Sequence, residues 1–244
     1  MIKSKKNEFF IGGRHSVLEI IKNKDKSIVS LICTKNKFQE VCELVKKENK
    51  QINIEIWDVK KINSLFQENF NHQGLACKLD QSFFFNVKKH KTLGSDIVVF
   101  EELYDLRNLG SILRTGLAFD IKDFYFNKKN IKSNFEKIYK SSSGYASFVN
   151  AYQYTNLSTE MKELKKNGYW CVGLDNSPGS SKIQNFQWPK KTAIIIGNEH
   201  FGLKNLTKKN CDFLIKIPIN KNVESLNVSH AFAITIALKK NALK

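Results

Sequence analysis

Short apolar runs rich in β-branched and aromatic residues recur through the latter half of the chain, with helix-like stretches between most of them. These runs cover residues 97–100, 123–126, 169–174, 192–196 and 213–217. Parallel strands need long, usually helical crossovers, and strands buried on both faces read as continuous apolar runs. The pattern therefore predicts an α/β fold with a mainly parallel sheet that is covered on both faces.

The front of the chain repeats this alternation on a smaller scale. We predict helices and strands in the order helix 14–21, strand 28–33, helix 38–48, strand 52–57, a further helix, and strand 75–79. Such an order is typical of a small α/β unit.

A break in the pattern separates the two parts. Residues 81–95 carry three consecutive phenylalanines at 83–85 and a basic run at 88–91. We predict a small domain at 1–80, a linker at 81–95 and a larger domain at 96–244. The alternative is that the phenylalanines dock against one of the domains.

The excess of basic residues indicates a polyanionic partner. The chain has 40 Lys and Arg against 23 Asp and Glu, which gives a formal net charge of +17 spread along its length. Nucleic acid is favoured over a membrane because no basic amphipathic segment or lipid-anchor motif is present. A Lys-rich and Asn-rich genome would produce the same excess, and composition alone leaves that alternative open.

The cysteines and histidines indicate neither a disulfide framework nor a metal site. The cysteines number 5, are isolated and form no C-x-x-C pair, and the histidines lack metal-ligand spacing. The polar start leads into only a short apolar run, and no run approaches membrane-spanning length. We therefore expect a cytoplasmic protein that binds no metal.

Polar segments follow three of the predicted strands, at 105–114, 194–203 and 223–229. In parallel α/β sheets ligands bind outside the carboxyl ends of the strands, so the three segments are expected to share one site. The glycine-containing segment at 194–203 is neither a dinucleotide-binding fingerprint nor a Walker A loop. Nicotinamide and ATP binding are therefore not supported.

Each segment offers candidate residues with a simpler alternative beside them. Asn108 is placed to cap a helix and Arg114 to grip phosphate, but the first is often only a cap and the second a surface cation. Gly197 allows close backbone approach to a ligand just before Glu199, or forms a tight turn. Ser225 lies near the start of the predicted helix 228–240, where free N–H groups suit polar ligands, or it only caps that helix.

Taken together, the three segments resemble the three motifs of the SpoU-type RNA ribose 2′-O-methyltransferases of the SPOUT superfamily. The front part resembles their small RNA-binding domain, through IGGRHSVL at 11–18 and HQGL at 72–75. The resemblance is nearest to bacterial members that methylate a guanosine ribose in large-subunit (23S) ribosomal RNA.

The resemblance implies a C-terminal deep trefoil knot, a homodimer, and S-adenosylmethionine held in the knot. By position in the motifs, the cofactor would be held by the backbone around Gly197, Ile217 and Leu226. The catalytic cluster would comprise Asn108, Arg114, Glu199, Ser225 and Asn227.

Two positions depart from the family pattern, and one role stays open. Leu106 stands where proline is frequent, which should matter little, and Tyr145 stands where a small residue is usual, which could alter packing near the RNA.

A free guanidinium holds its proton tightly, so Arg114 is better suited to clamp the 2′-oxygen or a neighbouring phosphate. Glu199 is the easier proton acceptor, but the family pattern also allows it to anchor Arg114 or loop backbone.

The expected function is methylation of a guanosine 2′-hydroxyl in ribosomal RNA, because the front domain favours that substrate. A transfer-RNA ribose methylase of the same family is the first alternative. A non-catalytic RNA-binding or ribosome-assembly factor is the second, although binding alone needs charge and shape rather than this polar cluster.

Overall fold

The computed structural model describes residues 8–23, 28–80, 93–128 and 135–241. Within these ranges the chain forms two β-sheets connected by helices, so the predicted α/β class is confirmed. No helix in the described ranges combines the length and the apolar character needed to cross a membrane.

The smaller sheet has the strand order β1-β4-β2-β3 and comprises β1 (Glu8–Gly12), β2 (Ser30–Cys33), β3 (Ile54–Ile56) and β4 (Leu75–Asp80). β4 is antiparallel to both of its neighbours, and β3 is parallel to β2. The helices of this part are α1 (Arg14–Lys22), α2 (Phe38–Lys47) and α3 (Val59–Asn63). The sequence patterns missed β1, whose short apolar run becomes a strand by pairing with β4 along its whole length.

The larger sheet has seven strands, and every pairing between them is parallel. Its strands are β5 (Asp96–Phe100), β6 (Asp123–Asn127), β7 (Asn150–Tyr154), β8 (Trp170–Leu174), β9 (Ser181–Lys182), β10 (Thr192–Ile196) and β11 (Phe213–Lys216). Their order across the sheet is β7-β6-β5-β10-β8-β11-β9. β10 lies at the centre, where all five of its residues are buried.

In the described part of the chain, five α-helices accompany this sheet: α4 (Leu106–Ala118), α5 (Phe135–Ser141), α6 (Leu157–Lys166), α7 (Asn205–Asn210) and α8 (Val228–Lys239). α4 packs against both α5 and α8. At Gly110 on α4, an added Cβ would lie 1.9 Å from the Ser141 hydroxyl oxygen. The close approach of α4 and α5 therefore requires a glycine at this position.

One hydrophobic cluster extends from the smaller sheet to the larger one, and β1 packs against α5 there. The Phe9 ring lies 5.1 Å from the ring of Phe135 and 5.8 Å from that of Tyr139, centroid to centroid. Most of the predicted linker, including the three phenylalanines, lies outside the described residues. The domain bounds therefore stay a prediction.

Candidate active site

The three polar segments emerge at the same edge of the larger sheet. They follow β5, β10 and β11, which run parallel and end at Phe100, Ile196 and Lys216. Because the carboxyl ends of parallel strands point the same way, the loops after them lie side by side.

A carboxylate links the second segment to the first. The Glu199 side chain accepts hydrogen bonds from the backbone N–H of Asp105 at 3.1 Å and of Tyr104 at 3.5 Å. Asp105 in turn caps α4, because its side chain accepts from the backbone N–H of Arg107 at 2.8 Å. Glu199 therefore fixes the start of α4, and both of its oxygens face backbone donors.

A pair of asparagines links the third segment to the first. The Asn227 Nδ2 donates to the Asn108 Oδ1 at 3.0 Å. The Asn227 Oδ1 accepts from the backbone N–H of Ser229 at 2.8 Å and so caps α8. Because the cap requires the oxygen, the amide nitrogen is directed toward α4.

The structure corrects two predicted capping roles. Asp105 rather than Asn108 caps α4, and Asn108 is the third residue of that helix, where its side chain is free to reach Asn227. Asn227 rather than Ser225 caps α8, and Ser225 lies two positions before the cap, exposed at the rim of a pocket.

Arg114 takes part in neither the Glu199 contacts nor the asparagine pair. It contacts the loop after α5 instead. Its Nη1 donates to the Ser143 hydroxyl at 3.1 Å, and its Cζ lies 5.7 Å from the centroid of the Tyr145 ring. It lies about 9 Å further along α4 than Asn108, at about 1.5 Å of rise per residue. The exposed guanidinium is therefore positioned by the loop that carries Tyr145.

A pocket of about 360 Å³ opens where the loops after β8, β10 and β11 meet. All three residues predicted to hold a cofactor line it, namely Gly197, Ile217 and Leu226. Glu199 and Ser225 also line it, so five of the predicted site residues border one cavity. Asn108, Arg114 and Asn227 lie outside its lining.

The structure explains the glycine at position 197 by the tight loop that it forms, not by close approach of backbone to a ligand. An added Cβ would lie 2.4 Å from the Gly202 carbonyl carbon. Asn198 and Gly202 also exchange two backbone hydrogen bonds of 3.0 Å each. The glycine is therefore needed to close the loop that forms one wall of the pocket.

The loop after β8 is also part of the site, although no sequence pattern indicated it. Asp175 lines the pocket and forms an ion pair of 2.7 Å with Lys208. Burial alone would raise the pKa of Asp175, but hydrogen bonds from Lys208 and Ser177 outweigh it and lower that pKa. Asp175 is therefore an ionised, paired group. Its position directly after a predicted strand is the signal that could have found it.

The first turns of α8 supply another wall. Val228, Ala231 and Thr235 line the pocket, and Thr235 is fully buried. The described residues contain no cluster of three or more histidine, cysteine or carboxylate side chains able to hold a metal ion. The arrangement is a cavity with an apolar interior and a polar rim.

Comparison with known proteins gives matches to both halves of the chain. The model described as the SpoU rRNA Methylase family matches residues 95–237, and the model for RNA 2′-O ribose methyltransferase substrate binding matches residues 10–85. A putative TrmH family tRNA/rRNA methyltransferase of Staphylococcus aureus (strain MSSA476) is 33% identical over 227 residues, covering 91% of each chain.

Two further proteins extend this comparison. The putative TrmH family tRNA/rRNA methyltransferase YacO of Bacillus subtilis (strain 168) is 29% identical over 232 residues, covering 91% of each chain. The solved structure of the SpoU methyltransferase AviRb from Streptomyces viridochromogenes, in complex with the cofactor AdoMet, superposes with a TM-score of 0.78. It is 16% identical and covers 97% of this chain and 90% of that one, so it supports the fold.

Proposed function

Because the chain belongs to the SpoU rRNA methylase family, a family of RNA methyltransferases, we propose that it methylates a guanosine 2′-hydroxyl in large-subunit (23S) ribosomal RNA with S-adenosylmethionine as donor. The observation that carries the proposal is that the three polar segments meet beside one pocket, which the segments after β10 and β11 line. Glu199 joins the segment after β10 to the one after β5, and the Asn108–Asn227 pair joins the segment after β11 to the one after β5.

The pocket suits S-adenosylmethionine in size and character. Its volume of about 360 Å³ lies within the range of small-molecule sites. Its interior is lined by apolar side chains that suit a flat base. The backbone around Gly197, Ile217 and Leu226 would hold the cofactor.

When bound, the cofactor supplies a methyl group that is already activated on a sulfonium. The protein's main task is therefore to position the 2′-hydroxyl against it, which can lower the activation free energy by several kcal/mol. Glu199 holds the start of α4 and thereby sets Asn108 against Asn227. Arg114, exposed and held by Ser143, is placed to bind a phosphate or the reacting 2′-oxygen. Since both Glu199 oxygens accept backbone N–H groups, we propose an anchoring role for that residue.

Ribosomal RNA is the preferred substrate in this proposal because the front of the chain matches a substrate-binding model and the net charge of +17 suits a large polyanion. Transfer RNA is the second candidate, since the similar proteins carry names that mention both RNAs. The presence of the whole polar cluster speaks against a non-catalytic binding protein.

We also propose a homodimer. Most residues of α8 are apolar, yet Ala233, Ile234 and Ala237 are only partly buried in the single chain. Light scattering after size-exclusion chromatography is expected to give twice the mass of the chain, and the mass of one chain at micromolar concentration would contradict the dimer. The trefoil knot stays a prediction.

Mapping of ribose methylation in cells with and without the gene tests the proposal. We expect one 2′-O-methylguanosine of 23S ribosomal RNA to disappear without the gene, and to return with the wild-type gene but not with an Arg114→Ala gene. A missing mark in transfer RNA alone would overturn the substrate, and an unchanged set of marks would overturn the function.

A further inference from the structure

One buried hydroxyl group in the wall of the pocket has no hydrogen-bond partner among the described residues. Val228, Ala231 and Thr235 all line the cavity, and their spacing of three and four residues places them on one face of α8. Thr235 is 0% exposed, and its Oγ1 has no hydrogen-bond partner among the described residues. It is the polar member of an otherwise apolar helix face.

Such a group calls for an explanation. Buried polar groups in native proteins are nearly always hydrogen-bonded, because leaving one unpaired costs the full desolvation of that group. A helical threonine commonly bonds the carbonyl four residues earlier, but here that bond is not formed. The hydroxyl in the pocket wall therefore has an unused donor and an unused acceptor.

Two other polar side chains of the lining have their oxygens engaged. The Asn198 Oδ1 accepts backbone N–H groups from His200 at 2.8 Å and Phe201 at 3.1 Å. Asp175 is paired with Lys208 and accepts from the backbone N–H of Ser177 at 3.1 Å. The Thr235 hydroxyl differs from these oxygens because it is buried and has no partner among the described residues.

The apolar side chains of the lining indicate which part of a ligand the hydroxyl meets. Ile183 and Ile215 are buried members of one apolar cluster, and Leu174 and Ile217 pack against it. All four side chains line the same pocket as Thr235 and give it an apolar lining suited to a flat heteroaromatic ring. A hydroxyl in such a lining can donate to a ring nitrogen or accept from an exocyclic amine.

We infer that the Thr235 hydroxyl hydrogen-bonds the polar edge of the adenine ring of S-adenosylmethionine. The inference rests on the proposed function, because it assigns the adenine end of the same pocket. Thr235 thus adds a base-reading contact to a site whose other predicted cofactor contacts come from backbone.

Binding of S-adenosylhomocysteine, the demethylated product, tests the inference by isothermal titration calorimetry on the full chain. Thr235→Val keeps the size of the side chain but removes the hydroxyl, and Thr235→Ser keeps the hydroxyl. We expect Thr235→Val to raise the Kd about tenfold, equivalent to about 1.4 kcal/mol, and Thr235→Ser to bind much more tightly than Thr235→Val.

The melting temperatures of the ligand-free variants give a second readout, in which Thr235→Val and a control variant are expected to differ. Thr235→Val removes an unpaired buried hydroxyl, so the melting temperature of the ligand-free protein should not fall. Thr192→Val is the matched control, because Thr192 is equally buried at the far end of β10 but donates to the Pro189 carbonyl at 2.9 Å. That control should lower the melting temperature and leave the Kd unchanged.

The outcomes separate the inference from its premise. A wild-type chain that fails to bind S-adenosylhomocysteine would remove both the proposed cofactor and the inference. A wild-type chain that binds, with Thr235→Val binding equally well, would overturn the inference alone. If Thr235→Val instead unfolds, a Thr235→Ser Kd as weak as that of Thr235→Ala would be the overturning result.

Discussion

Asn227 combines a structural contact with one that lies at the candidate site. Its Oδ1 caps α8 through the Ser229 N–H, and its Nδ2 reaches Asn108 on α4. Asn156 provides a matched cap elsewhere, since its side chain accepts from the backbone N–H of Thr159 at 3.0 Å at the start of α6. The two asparagines therefore allow the two contributions to be separated.

We predict that Asn227→Ala and Asn156→Ala each lower the free energy of unfolding by about 1 kcal/mol, the usual cost of a lost cap. Only Asn227→Ala should also reduce methyl transfer, by about tenfold or more, because misplacing a reacting group is costly. Urea unfolding and turnover assays check both parts. Equal losses of turnover in the two variants would show that stability alone is responsible.

Glu199 gives a second prediction at the scale of one residue. Glutamine retains one carbonyl oxygen that can accept the Asp105 N–H, so an anchoring role predicts that Glu199→Gln loses less than about tenfold in single-turnover rate. Removal of a proton acceptor would cost about 10²- to 10⁴-fold. Glu224→Gln is the control, because Glu224 lines the same pocket but is exposed. A hundredfold loss in Glu199→Gln alone would reject the anchoring role.

At the scale of elements, the loop after α5 contacts both α1 and the Arg114 side chain of α4. The Tyr145 ring lies beside the guanidinium and 6.0 Å from the His15 ring on α1, centroid to centroid. Gly144 has a positive φ of 86°, and an added Cβ would lie 2.6 Å from the Ser16 carbonyl oxygen. The tyrosine that departs from the family pattern thus contacts both the arginine and His15 of α1.

We predict that Tyr145→Ala lowers the single-turnover rate by a factor of about 2 to 5, because a cation–π contact at an exposed site contributes about 0.5–1 kcal/mol. Tyr145→Phe keeps the ring and should keep the rate, and the Kd for S-adenosylhomocysteine should not change in either variant. Stopped-flow or quench-flow methylation with saturating RNA measures the effect. Equal rate losses in Phe and Ala variants would point to the hydroxyl instead of the ring.

Local patterns located some elements well and others poorly. β10 was predicted at its observed bounds because a strand buried on both faces reads as an unbroken apolar run. β7 was missed because it lies at the edge of the sheet and mixes polar with aromatic residues. Asp105 and Asn108 are both favourable caps only one turn apart, and a single sequence does not choose between them.

The same limit applies to the site. In parallel sheets, ligands lie beyond the carboxyl ends of the strands. That rule correctly predicted that the three polar segments are neighbours. The bond between Glu199 and Asp105 spans 94 positions of sequence, and that between Asn227 and Asn108 spans 119. Contacts of that separation depend on how helices pack, so local patterns could not assign them.

At the scale of the whole molecule, the net charge of +17 should dominate RNA binding. A protein that neutralises several phosphates releases counterions, so its affinity falls steeply with salt. We predict that raising KCl from about 50 to 200 mM weakens binding of ribosomal RNA fragments by more than about tenfold. S-Adenosylhomocysteine should bind almost equally at both salt concentrations. Salt-independent RNA affinity in filter-binding assays would contradict a phosphate-led interaction.

Ribose methylation by the purified chain tests the central claim most directly. Alkaline cleavage of RNA requires a free 2′-hydroxyl, so a methyl group on that oxygen leaves the adjoining phosphodiester intact. After incubation with methyl-labelled S-adenosylmethionine and 23S ribosomal RNA, we predict label in alkali-stable dinucleotides that contain guanosine. Label confined to mononucleotides, or no label transferred to any RNA by the folded, cofactor-binding protein, would contradict the account.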